Sequence, residues 1–390
     1  TAGQFVNSAG NKSAVSGNSV IAYANTAITI SGADCSVSGN TIGSAGGNYS
    51  GIVASGARPG VTGNVLLGTT ATGSGYAIHV SGTGGGAVSG NVASGYAFGL
   101  YSSAPNMAIS GNSISISSSE TGVTIASGAT ANTVSGNFLS CVGVGISVSE
   151  ADCSVCSNRI YGGYGIIVYS VVKCSIASNS IYAAYPVDVR SGSSYCSVKS
   201  NSITSSSGDG VQIASSDNTS VCGNEIVLPN QNVWALLLTG SAHVIVSSNQ
   251  VNGTSTAHGI YVALSTYITI SNNSIRNVGR GVAVLSCTYF TISGNMSTLD
   301  ADTSYSVDSA SSVGAVTGNV TNHAAVDGFN IQAQSVAITG NTAYDAGRYG
   351  IALLSPGGVC TCVGNVARAC ATTNLVDTTG TSDTAHNIIL

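Results

Sequence analysis

An asparagine returns along this chain at a mean spacing of about 23 residues, with a Gly, Ser or Asn directly before it and an apolar residue three positions earlier. The row runs Asn18, Asn40, Asn64, Asn91, Asn112, Asn137, Asn158, Asn179, Asn201, Asn224, Asn249, Asn273, Asn295, Asn319, Asn341 and Asn365, and Asn387 continues it. A period that holds its phase over the whole chain describes a stack of like coils. Each repeat carries apolar residues at three places. Val134, Val155 and Ile176 precede the asparagine, Ile160 and Ile181 follow it, and pairs such as Ile146/Val148, Ile166/Val168 and Val211/Ile213 lie in mid-repeat. Within each segment β-branched residues alternate with small polar ones, which is the period of a strand. No helical periodicity of useful length appears.

Three short strands and three turns in such a repeat make one coil of a parallel β-helix. The expected fold is all-β, a single-stranded right-handed parallel β-helix of about 16–17 coils stacked about 4.8 Å apart. Stacked asparagines can hydrogen-bond along the axis, and asparagine tolerates left-handed backbone. A second row, which includes Gly122, Gly145, Gly165, Gly210, Gly259 and Gly281, opens the mid-repeat strand and marks another bend. The expected organisation is one continuous domain over residues 1–390. Because the pattern starts and stops within the repeat, without caps, a portion of a longer chain is expected.

Composition narrows the functional classes. Only 6% of residues are charged, against about 25% in an ordinary domain. With a net charge of −5 and 10 basic residues spread thinly, no nucleic-acid partner is expected. No apolar run approaches the length of a membrane span. No calcium loop or paired CxxC zinc pattern occurs, and neither a metal nor a cofactor is expected. There are 11 cysteines. Cys35, Cys153, Cys174, Cys196 and Cys360 each lie five residues before a row asparagine, so they read as inward-facing apolar filler, with disulfides as the alternative.

The repeat resembles the right-handed parallel β-helices of the pectate-lyase-like superfamily, and most of all a bacteriophage tailspike or polysaccharide depolymerase. That resemblance implies an extracellular or virion-surface protein that binds, and cleaves by hydrolysis or elimination, a bacterial surface polysaccharide as a homotrimer. The alternative is a non-catalytic structural or adhesive rod.

Chemistry must sit on the outer face, and aromatic and charged residues gather between about residues 158 and 285. Six of the 17 tyrosines fall between Tyr161 and Tyr195, and the single tryptophan, Trp234, follows. Asp188 and Asp209, one repeat apart, are the candidate catalytic pair, since two carboxyls flanking a glycosidic bond can serve as acid and base. Tyr164, Tyr185, Arg190, Trp234, His258, Tyr261 and Arg280 are the candidate substrate-binding residues, the rings for sugar faces and the arginines for sugar carboxylates. Blander roles stand beside these: a turn for Asp209, a solvated charge for Asp188, packing for His258 and a rim charge for Arg280. Outward apolar residues after the asparagine, including Val92, Phe138, Met296 and Val320, suggest a side-by-side oligomer.

Overall fold

In the computed structural model, residues 6–22, 25–44, 48–69, 73–229, 232–354, 359–379, 382, 384 and 387–389 are described. The backbone divides into two compact units, Thr1–Val187 and Asp188–Leu390. Each is a right-handed parallel β-helix. No helix among the described residues is long and apolar enough to cross a membrane.

In the first unit the strand before the asparagine stacks in register from coil to coil. Thr133, Val134 and Ser135 pair with Ser154, Val155 and Cys156, which pair with Ser175, Ile176 and Ala177. The central apolar residue of each triplet is fully buried and its neighbours face outward. In the second unit the mid-repeat strand Trp234–Thr239 pairs in parallel with His258–Ala263, and that with Val282–Leu285. Leu236, Ile260 and Val282 form one inward row, each fully buried. Every such side chain contributes about 1.5–3 kcal/mol of burial.

The asparagine row is hydrogen-bonded along each unit and buried from Asn40 to Asn365. From Asn18 to Asn179, and again from Asn201 to Asn387, each side-chain Nδ2 donates to the Oδ1 of the next asparagine at 2.9–3.0 Å. Each Oδ1 also accepts the backbone N–H of the asparagine one coil earlier, as Asn295 does from Asn273 at 2.9 Å. The left-handed backbone expected of these asparagines lies one residue earlier instead, at Gly136, Ser157, Ser178, Gly223, Ser248 and their equivalents, where φ is 54–70°. The asparagines are there for their amides. The glycines of the second row answer a different constraint. A Cβ on Gly259 would lie 2.2 Å from the carbonyl oxygen of Gly281, and one on Gly210 would lie 2.7 Å from that of Ala235. Glycine permits this close approach of successive coils.

The cysteines expected to face inward do so. Cys35, Cys153, Cys174, Cys196 and Cys360 are buried. Burial pushes the Cys153 and Cys360 thiols up from their ordinary value.

A further corner of the second unit holds Tyr195, Asn218, His243, Tyr267, Tyr289, Val313 and Ser335, all with φ between 52° and 56°. Three consecutive corners carry rings. His243 stacks on Tyr267 at 4.7 Å between centroids and 2° between planes, and Tyr267 on Tyr289 at 4.8 Å and 5°. Two stacked pairs return about 1–3 kcal/mol, whereas three non-glycine residues in left-handed backbone cost about 3–6 kcal/mol. Asn218, Val313 and Ser335 hold the same corner in the same conformation, so the strain belongs to the corner and not to the rings.

Candidate functional site

The glycine-tight bend ahead of the mid-repeat strand fixes one row of outward positions in the second unit. Asp209, Trp234 and His258 occupy this row on successive coils, and Arg280 follows at the next. Trp234 and His258 are direct partners in the parallel register, and their rings lie 4.4 Å apart. Tyr261, three residues after His258, faces the same side and brings its ring to 4.7 Å from Trp234. The three rings form a half-buried aromatic surface.

Asp209 flanks this surface. Its Oδ1 accepts the backbone N–H of Trp234 at 2.7 Å, so the carboxylate ties one coil to the next and does not close a turn on its own backbone. Burial pushes its pKa above the ordinary carboxylate value, and the Trp234 N–H opposes that shift. At the other end, His258 Nδ1 accepts the backbone N–H of Arg280 at 3.2 Å. Burial and the Arg280 charge hold the imidazole below its usual pKa, with Asp302 opposing. His258 is therefore neutral at physiological pH, with its remaining proton on Nε2.

Asp188 is only 3% exposed, which removes the solvated-charge reading. Its Oδ2 lies 3.3 Å from Nη1 of Arg190, two residues along the same strand, and its Oδ1 is buried with no hydrogen-bond partner. Burial raises its pKa and Arg190 lowers it. Arg280 donates from Nε to Oδ2 of Asp302 at 2.7 Å while remaining about half exposed. Both arginines expected to hold substrate carboxylates thus already have an aspartate of their own. The site presents rings and carboxyl groups in near charge balance, which suits the hydroxyl-rich rim and apolar faces of a sugar.

Tyr164 and Tyr185 belong to the first unit. They stack on successive coils at 4.9 Å with 17° between planes. Tyr161 and Tyr182 form a second pair at 6.2 Å, and Arg159 donates from Nε to the Tyr161 hydroxyl at 2.7 Å.

Further polar and aromatic residues take defined places. Asp327 is fully buried and accepts Nε and Nη2 of Arg348 at 2.8 and 2.5 Å and Nδ2 of Asn330 at 2.8 Å. This extends the polar row by further coils beyond Arg280 and Asp302. Asp300 is buried too, with Oδ2 accepting the hydroxyls of Ser297 and Ser304. In the first unit Tyr76, His79, Phe98 and Tyr101 form a cluster with centroids 4.9–5.4 Å apart. For the aromatic cluster the detectable signal is an offset of one coil: Tyr76 pairs with Phe98 and His79 with Tyr101, in direct register.

The sequence model of a family described as periplasmic copper-binding protein (NosD) matches residues 11–187 and 194–367. No curated protein sequence matches the chain. Among solved structures, the chain is similar to the mannuronan C-5 epimerase AlgE6 A-module of Azotobacter vinelandii at 10% identity, over 96% of this chain and 90% of that one, with a TM-score of 0.36. It is similar to the tailspike protein of E. coli bacteriophage HK620, solved with a hexasaccharide, at 13% identity over 89% and 69% of the two chains, with a TM-score of 0.48. A PL6 alginate lyase in complex with a trisaccharide shares 12% identity over 86% and 79%, with a TM-score of 0.46. At these identities the likeness is one of fold.

Proposed function

The chain belongs to the NosD family, and from that premise we propose that it is a glycan-binding β-helix outside the cytoplasm that cleaves a polysaccharide laid along the second unit. The observation that carries this reading is the surface of Trp234, His258 and Tyr261 with the raised-pKa carboxyl of Asp209 bonded at its edge. Rings that meet at 4.4–4.7 Å offer sugar-sized apolar faces. A carboxyl group whose proton is held more tightly than usual is suited to protonating a leaving glycosidic oxygen. Asp188, one coil earlier and balanced by Arg190, supplies the second carboxylate; within the first unit, the stacked Tyr164 and Tyr185 offer a ring platform of their own. The family's description as periplasmic supports a location on the outer side of the cytoplasmic membrane; a virion surface is the finer form of the same reading. The exposed apolar side chains of Phe138, Val92, Met296 and Val320 support association of several copies, in the finer form a homotrimer.

The family description names copper, which seeks converging thiolate, thioether or imidazole donors. Among the described residues no three His, Cys, Asp or Glu side chains converge. Burial pushes the Cys141 thiol up to about 12 and the Cys362 thiol up to about 11, so neither offers a thiolate at neutral pH. These residues do not fit a copper centre, and no step is routed through one.

A second reading, binding without cleavage, is favoured by the burial of Asp188 and by the intramolecular partners of both arginines. An end-group assay separates the two. Wild-type protein incubated with bacterial exopolysaccharides should release new reducing or unsaturated ends, and Asp209→Asn, whose amide oxygen can still accept the Trp234 N–H, should stop release while the fold stays intact. Release unchanged in both Asp188→Asn and Asp209→Asn would remove the catalytic assignment. Tight glycan binding with no release by the wild type would establish the second reading.

A further inference from the structure

A second aromatic feature of the Asp188–Leu390 unit lies apart from the Trp234 surface, on the left-handed corner that carries His243, Tyr267 and Tyr289. Tyr267 and Tyr289 are half exposed, at 50% and 52%, and the stacked rings are nearly parallel. The next two corners replace the ring with Val313 and Ser335, and Gly314 follows Val313 on the strand. The loss of bulk opens a trough of about 340 Å3 beside the end of the stack, lined by Tyr267, Tyr289, Thr291, Val313, Gly314 and Ser335 among others. That volume lies at the lower end of the range for small-ligand sites.

We propose that this trough is a second glycan-binding site, for uncharged pyranose units, independent of the surface around Trp234. Three features carry the assignment. The corner takes the same left-handed backbone on neighbouring coils with Asn218, Val313 or Ser335 in place, so the fold does not require rings there, and the ring-to-ring stack is confined to three consecutive coils. The geometry is rigid, because each ring is fixed by its neighbour and by the coil register, and a preorganised platform binds without ordering cost. The residues that line the trough are aromatic, aliphatic, hydroxylated or glycine, and none is charged. Such a lining receives the apolar face of a neutral sugar and hydrogen-bonds its hydroxyls, while a uronate would be left with its charge desolvated and unpaired.

The test uses the full chain and a double variant, Tyr267→Asn with Tyr289→Asn. Asparagine tolerates left-handed backbone, so the exchange removes the rings and relaxes the corner. The probes are unbranched neutral hexasaccharides (an α-glucan, a β-glucan and a β-mannan), read by saturation-transfer NMR, with an oligouronate as the charged comparison. At least one neutral probe should bind the wild type and bind Trp234→Ala with equal affinity, and its affinity should fall at least tenfold in the double variant. The melting temperature of the double variant should equal or exceed that of the wild type. The oligouronate should not compete. Binding unchanged in the double variant, binding lost in Trp234→Ala alone, or no neutral probe bound at all would overturn the proposal. So would a large fall in melting temperature, which would show the rings to be structural. Failure of the Trp234 surface to bind glycan leaves these outcomes unaffected.

Discussion

Asp300 makes the stability of the second unit depend on pH in an unusual direction. Its carboxyl group is 2% exposed. Burial raises its pKa from 3.8 to about 6, and the hydroxyls of Ser304 and Ser297 only partly oppose this. Its Oδ1 has no hydrogen-bond partner, and the nearby phenol of Tyr305 is fully enclosed. An unfolded aspartate titrates near 3.9, so the folded protein binds this proton more tightly than the unfolded chain does. Stability from this group is therefore complete below about pH 4 and is lost as pH rises through about 6. A shift of about 2 units corresponds to about 3 kcal/mol between those limits. Asp300→Asn cannot ionise, so the variant lacks this dependence whatever constant offset the amide introduces. Urea unfolding of wild type and variant at about pH 4, 5, 6, 7 and 8 gives the comparison. The stability difference should move by about 2–3 kcal/mol in favour of the variant from the lowest pH to the highest, with its midpoint near 5, midway between the unfolded and folded values. Parallel curves would refute the reasoning and show that Asp300 is solvated or otherwise compensated.

Other outcomes follow from the same geometry. Asn273 donates to Val246 O at 3.0 Å and to Asn295 Oδ1 at 2.9 Å and accepts from Asn249. Asn273→Ala should therefore lower the unfolding free energy by on the order of 4 kcal/mol in denaturant titration, since buried groups on both neighbouring coils lose partners. Arg348→Ala leaves the fully buried Asp327 carboxylate without its charge partner and should cost about 3–5 kcal/mol. The double variant with Asp327→Asn should cost less than Arg348→Ala alone; equal or greater cost would contradict the account. In thiol titration of the native protein, Cys156, Cys222 and Cys370 should react before the buried cysteines, and all 11 should react after unfolding.

The fold is legible in the sequence because a coil is a local object. Asn158 and Asn179 are 21 residues apart, and that offset alone makes them neighbours with a 3.0 Å hydrogen bond. The inward cysteines and the valine–isoleucine pairs follow from the same period. The aromatic site was partly legible for the same reason, since Trp234 and His258 share a register position. What the sequence hides is how closely successive coils approach on the outside. Asp188 stands between two inward valines at an outward position and yet is buried. Arg280 and Asp302, 22 residues apart, satisfy each other, so neither arginine of the candidate site is a free clamp for a carboxylate. The Tyr76–Phe98 and His79–Tyr101 pairs do not stand out in the density of aromatic residues along the chain and are visible only as rows one coil apart.

The glycan reading rests most directly on the surface around the single tryptophan, which is its own reporter. Titration of the full chain with a panel of bacterial polysaccharide fragments, followed by Trp234 emission, should show a saturable change with at least one fragment. Tyr261→Ala should weaken that change, and Asp209→Asn should leave it in place. If no fragment, acidic or neutral, alters the emission, and wild-type protein releases no new chain ends from any parent polysaccharide, the surface is not a sugar site.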